Sequence, residues 1–185
     1  QFNVRSETEG CAHHIDYRVK ARQGVMSTAS RVIALRPDLL LNISAVRPGI
    51  EAKFKFEIGN APVQFGFIVS GANRCTYYDG ALKSQTHLLN KGCNGIYYFP
   101  ETSGTLESDH GAGVFVVSIL TTPLFLDTYF SDDKRRISCA FKKVISEQKD
   151  QFYWRGTENP AKMSLLMQII HNKYTDGVQK IFLES

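Results

Sequence analysis

Hydrophobic and polar residues alternate one for one along the middle of the chain. Ile50, Ala52, Phe54, Phe56 and Ile58 are interleaved with Glu51, Lys53, Lys55 and Glu57, the period of a strand with one dry face and one wet face. Gly59-Asn60-Ala61-Pro62 breaks the run. Val63, Phe65, Phe67 and Val69 then alternate with Gln64, Gly66, Ile68 and Ser70 as far as Gly71. Arg74 to Tyr78 closes on Asp79-Gly80, a strong turn pair. Gln85 to Leu89, Gly95 to Phe99 and Gly113 to Leu120 follow, and Arg31 to Leu35 and Leu39 to Val46 lie upstream. About eight short strands, with nothing helical between them, predict a sandwich or barrel and not a parallel βαβ sheet.

Past Leu120 the period becomes helical. Thr122 reads as an N-cap with Pro123 at the first helical position, predicting a short helix from Pro123 to Phe130. Ile137, Phe141, Val144 and Ile145 recur at helical spacing through a charged segment ending near Lys149. Asn159-Pro160 repeats the cap-and-proline signal, and Met163, Leu166, Met167 and Ile170 follow at i, i+3, i+4 and i+7. Val178, Ile181 and Phe182 begin a further helix toward Ser185. The predicted organisation is a poorly ordered segment over 1–29, a β-barrel over 30–121 and a helical linker or dimerisation region over 122–185.

Composition narrows the function classes. At 185 residues, 43% hydrophobic and 22% charged, the chain can bury a real core, which excludes a disordered protein, a collagen-like fibre and a disulfide-stapled miniprotein. The net charge of +4 comes from scattered Lys and Arg, without the concentrated basic face that phosphate binding requires. Cys11, Cys75, Cys93 and Cys139 form no CxxC pair and fit no zinc spacing, so reduced thiols are expected. Gln1 to Gly10 has no apolar signal-peptide core, and the longest apolar runs fall far short of the ~20 residues of a membrane helix. The expectation is a soluble, cytoplasmic chain, and an opening Gln1 in place of Met suggests a piece of something longer.

Catalytic patterns are missing. Cys11-Ala12-His13-His14 has metal-ligand residue types, but a site needs three or four converging groups, and His87, His110 and His171 each stand alone. Adjacent residues cannot form a triad, which disposes of Glu107-Ser108-Asp109-His110. No GxSxG, HExxH or DxDxDG motif occurs, and Gly71-Ala72-Asn73 and Gly111-Ala112-Gly113 are turns between strands. The alternative of a cupin-type metal-dependent enzyme, an isomerase or dioxygenase, needs a histidine–carboxylate cluster on adjacent strands. The strand Ala72 to Tyr78 carries no histidine. No catalytic residue, metal or cofactor is therefore expected. Trp154-Arg155 after Phe152-Tyr153 is an aromatic-plus-guanidinium patch suited to a partner contact, a pocket rim or a loop anchor.

The strand pair Phe54 to Ile58 and Val63 to Gly71, then Gly95 to Pro100, Val114 to Ile119 and a proline-started helix make up a pattern. The stretches Met163 to Gly177 and Gln179 to Ser185 complete it. It resembles AraC-type transcriptional regulators, particularly those similar to the pyochelin-responsive regulators of siderophore genes, over about Ile50 to Ser185. The resemblance implies a mainly β, cupin-like small barrel or jelly roll followed by three to four helices. It also implies a small-molecule effector, siderophore-like in that group, a homodimer, and DNA contact only through helix-turn-helix units beyond Ser185. No membrane is involved.

The effector's identity does not carry over. A module that only dimerises, with a filled barrel, is the third reading. The expected ligand-binding residues are Phe54, Phe56, Phe65, Phe67 and Val69, with Tyr77 and Tyr98 as polar-tipped additions. The expected dimerisation face is Met163, Leu166, Met167 and Ile170, or the neighbouring helix from Ile137 to Ile145, with simple packing of the first face on the barrel as the alternative. Phe67→Ala should cost about 3–5 kcal/mol if the ring is core packing, and less stability but more affinity if it lines a pocket. Which strand face points inward is undetermined at this level, because a one-residue slip inverts every assignment.

Overall fold

A computed structural model of the chain describes residues 17–20, 26–48, 52–108, 113–131, 137–147, 151–157, 159–171 and 183. Eleven strands run in chain order: β1 (Tyr17–Lys20), β2 (Met26–Arg36), β3 (Leu39–Pro48), β4 (Ala52–Ile58), β5 (Val63–Ser70), β6 (Ala72–Tyr77), β7 (Thr86–Asn90), β8 (Asn94–Tyr98), β9 (Thr102–Ser108), β10 (Val114–Thr121) and β11 (Phe152–Gly156). Three helices are described among those residues, α1 (Pro123–Tyr129), α2 (Cys139–Glu147) and α3 (Pro160–Ile170), all late in the chain. The strands form two antiparallel sheets, β1-β4-β9-β6-β7 and β11-β8-β5-β10-β3-β2. The mainly β, jelly-roll-like architecture with C-terminal helices is as the sequence implies. The two sheets are not closed into one barrel.

Strand β4 behaves as its alternation requires. Phe54 is buried and Phe56 half-buried, while Lys53, Lys55 and Glu57 are exposed on the outer face. Lys53 there pairs with Glu107 at 2.5 Å, a solvent-exposed bridge of small energetic weight. Gly71 turns the chain from β5 in the larger sheet to β6 in the smaller one.

The larger sheet has a second covering layer. Val63, Tyr98, Leu126, Phe141, Val144 and Ile145 make one apolar cluster between it and the α1–α2 pair. Leu35, Leu41, Val117 and Leu166 make another under α3. The cap signals hold: Thr122 Oγ1 accepts from the Phe125 N–H at 3.1 Å, and Asn159 Oδ1 accepts from the Ala161 N–H at 2.9 Å. Each satisfies a donor that the first helical turn would otherwise leave orphaned.

Two internal strands escape the sequence pattern. β9, with the sequence TSGTLES, lies centrally between β4 and β6, yet offers no run of alternating hydrophobics. Its Thr102, Thr105 and Ser108 are buried all the same, because a central strand is held by ladder hydrogen bonds that any residue but Pro can make. β11 follows two helices and adds itself to the far edge of the larger sheet beside β8. β1 and the start of β2 fall within the first 29 residues, while residues 1–16, including the Cys11-to-His14 cluster, lie outside the described residues. So does the predicted helix from Val178, apart from Leu183. No helix among the described residues is long and apolar enough to cross a membrane.

Candidate functional site

Strand β5 decides which residues face the space between the sheets. Its bulky row, Val63, Phe65, Phe67 and Val69, packs under the helices. Its other row, Gln64, Gly66 and Ile68, faces the opposite sheet, where Ile68 joins Cys93, Val114 and Leu89. Register carries this parity sideways, since Ser118 pairs with Gly66 and Asn42 with Ser118. The inner face is therefore partly polar. Gln64 Nε2 donates to Ser118 Oγ at 2.9 Å, and Ser30 Oγ donates to Asn42 Oδ1 at 2.9 Å. On the facing sheet, Ser108 Oγ donates to Asn73 Oδ1 at 2.5 Å.

Toward the β7–β11 edge the inner face becomes aromatic. Gly66 of β5 sits directly across from Gly95 of β8, and together they leave a floor for the Tyr97 ring. A Cβ at Gly95 would come within 2.7 Å of Tyr97 Oη, and one at Gly66 within 3.0 Å of its ring. Tyr77, Phe99 and Phe56 close the cluster, with Tyr77 and Phe99 centroids 5.1 Å apart. Burial pushes the Tyr77 and Tyr97 phenols well above their ordinary range, so both stay protonated. Burial likewise pushes the Cys75 thiol up to about 11.

Alternate residues of β11 reach across to the smaller sheet. Gln151, just before the strand, donates through Nε2 to Thr102 Oγ1 at 2.7 Å and accepts from the Ala81 N–H. The Tyr153 ring meets His87 at 4.8 Å and Tyr97 at 5.5 Å. Arg155 Nη2 donates to Cys93 Sγ at 2.8 Å, and Asn90 lies at 3.5 Å from the same nitrogen. Burial, and secondarily the Arg155 charge, lower the His87 pKa and favour its neutral ring. Among the described residues no three His, Cys, Asp or Glu side chains come together as metal ligands would. His110 lies outside them.

The seven expected ligand residues do not line one space. Phe54, Phe56 and Tyr77 face the inter-sheet side. Phe65 and Tyr98 pack against α1 and α2, and Phe67 and Val69 against α3. The helices require an apolar bed, and the bulkier row of β5 supplies it. Phe67→Ala should therefore cost about 2–3 kcal/mol of stability, given the half-buried ring, and leave affinity for an inter-sheet ligand within about twofold. Urea unfolding and a binding titration on the same variant check both halves.

Tyr97 and Phe99 on the inner face are not among the expected ligand residues, while Tyr153 and Arg155 belong to the Phe152-to-Arg155 patch, for which a pocket rim is one of three expected roles. The signal for Tyr97 and Phe99 was the Gln64-Gly66 row, too polar and too small to be a core face. Of the expected dimerisation residues, Met163, Leu166 and Ile170 dock on the sheet. Met167 and Leu165 remain exposed, Leu165 to 60%, at different positions around the helix.

Known proteins can be set beside this geometry. An apo ToxT variant from Vibrio cholerae superposes with a TM-score of 0.52 at 14% identity, covering 80% of this chain and 52% of that one. Wild-type ToxT from the same organism, bound to an unsaturated fatty acid, gives 0.50 at 13% identity with the same coverages. At such identity the likeness shows the fold alone, and this chain spans about half the length of those ToxT chains. No curated protein matches the sequence. The family described as the regulatory protein PchR N-terminal domain matches residues 24–185. Match, strand pattern and C-terminal motifs agree, and the chain belongs to that family, the N-terminal domain of an AraC-type transcriptional regulator.

Proposed function

We propose that this domain binds a small-molecule effector between its two sheets and relays occupancy through its helices to DNA-binding units beyond residue 185. The observation that carries the reading is incomplete filling of the inner face. Val32 is 42% exposed there, and Asn42, Ser44, Gln64 and Val116 are only half-buried, although their register turns them toward the inter-sheet side. A purely structural sandwich would close that space with apolar side chains. An aromatic wall with a few oriented polar groups is the usual lining of an organic-ligand site. The fatty acid held by ToxT supports a small-molecule role for a domain of this fold.

Within this reading Phe54, Phe56 and Tyr77 belong to the lining together with Tyr97 and Gln64. The effector is a compact organic molecule, siderophore-like in the regulator group that the sequence resembles. The domain acts in the cytoplasm as a binder and not as an enzyme. A homodimer contact through α3 would fall on Met167, because the other side chains of that stripe are already docked.

Relay requires different affinities for two conformations, since equal affinity shifts no equilibrium. β11 is placed for it. Tyr153 faces the interior, Phe152 meets Phe141 of α2 at 5.0 Å, and Asn94 Nδ2 donates to the Thr157 carbonyl at 2.7 Å just ahead of α3. Native mass spectrometry of the purified chain tests the reading. One organic adduct per chain is expected after incubation with extracts of the producing cells. A stoichiometric metal ion with no organic adduct would overturn it in favour of a metal-dependent enzyme.

A further inference from the structure

The β7–β11 edge of the inter-sheet space gathers hydrogen-bond donors. A guanidinium carries five N–H donors and no acceptor, and the described contacts of Arg155 use Nη2 alone, on Cys93 and Asn90. Among the described residues Arg155 has no carboxylate partner; Glu107, on the outer face of the other sheet, pairs with Lys53 and Arg74. Next to it, Tyr153 Oη is buried without a well-formed hydrogen bond, and the polar group that bears on it is the Arg155 guanidinium itself. A buried polar atom left unpaired is costly, and natural structures keep few of them. The flanking rings are Tyr97 at 5.5 Å, Phe99 at 6.2 Å and His87 at 4.8 Å from the Tyr153 centroid. A neutral His87 puts no second cation there.

We propose that Arg155 and Tyr153 form an anion-binding subsite at this edge, which takes the acidic group of an effector whose flat aromatic body lies against Tyr97, Phe99 and Tyr153. The inference rests on the small-molecule reading above and names the chemical class that site accepts. The planar guanidinium fork matches a carboxylate in a way an ammonium does not, and the Tyr153 hydroxyl supplies a further donor. The aromatic rings select a π-rich body over an aliphatic one. Arg155 sits at the solvent-facing rim, so the acidic group lies outermost and the ring enters first. Arg155 thereby acts as the residue that decides between acidic and neutral ligands.

Benzoate and benzyl alcohol serve as probes, differing in charge but little in shape. Isothermal titration calorimetry measures the affinity of both probes. Benzoate should bind at least about tenfold tighter than benzyl alcohol, as a charge-assisted hydrogen bond allows. Arg155→Gln should abolish that preference, and Arg155→Lys should keep part of it. Tyr153→Phe should weaken benzoate while leaving the thermal midpoint no lower than wild type, because the hydroxyl makes no well-formed hydrogen bond in the free protein. Lys55→Gln, on the outer face, should change neither probe.

Equal affinity for both probes, no binding of either, or a benzoate preference that survives Arg155→Gln would each overturn the subsite. Equal binding that is weakened by Tyr77→Leu would sink the subsite alone and leave the inter-sheet reading standing. A metal ion without organic adduct in the mass spectrum would sink both.

Discussion

Phe141→Ala should lower the stability of the domain by about 3–5 kcal/mol, the cost of emptying a large buried aromatic site. The ring is 6% exposed and lies in the cluster formed by Val63, Tyr98, Leu126, Val144 and Ile145. Its removal takes away the edge of α2 that faces β11, since its centroid is 5.0 Å from that of Phe152. Val63, Tyr98 and Phe152 beside it are strand residues fixed by ladder pairing and cannot collapse freely into the space. Against a total of about 5–15 kcal/mol for a domain, this loss shifts the urea midpoint far down. Lys143→Ala, on the exposed side of the same helix, should stay within about 0.5 kcal/mol. Equal midpoints for the two variants would mean that α2 is not docked on the sheet. The loss should also weaken coupling between the inter-sheet space and the helices, because Phe152 and Tyr153 are consecutive residues of β11 with opposite faces.

Gly71→Ala should be nearly as damaging, at about 2–5 kcal/mol. Gly71 has φ of +84°, a left-handed conformation costing an L-residue about 1–2 kcal/mol. Any Cβ there would also run into the Gly113 carbonyl, and a backbone group cannot step aside as a side-chain tip can, so an overpacking cost of about 1–3 kcal/mol is added. The position is the single residue at which the chain leaves β5 in one sheet and enters β6 in the other, and its carbonyl accepts from the Lys91 N–H at 2.9 Å. Gly59→Ala is the matched control, because a Cβ there meets nothing within 4 Å. Thermal unfolding should separate the two variants by about 4–20 °C. Coincident curves would show that the sheet-to-sheet turn tolerates a side chain.

Local chemistry made much of this protein legible. The alternation over residues 52–58 and 63–70 requires half-buried strands whatever surrounds them, since only period two places every second side chain on one face. Thr122-Pro123 and Asn159-Pro160 set helix starts, because the cap side chain and the fixed proline φ act within one turn. The C-terminal motifs point to the regulator family by themselves. Strands without such a signature were not legible. β9 is polar and central, and its place depends on β4 and β6 offering ladder partners on both sides. β11 depends on the free edge of β8.

The inside of the sandwich was decided by tertiary structure alone. Alternation states that Phe65 and Gly66 face opposite ways, but it cannot say which way is in. That choice was made by the helices, which need an apolar bed, and Val63, Phe65, Phe67 and Val69 furnish it. The inner face was left to Gln64, Gly66 and Ile68, and with it the room that Tyr97 occupies over the paired glycines. The convergence of Tyr97, His87, Tyr153 and Arg155 brings β11 against β7 and β8, which lie far earlier in the chain. No local rule encodes it, because burial of apolar surface is non-directional and becomes specific only when the packed layers exclude every other arrangement.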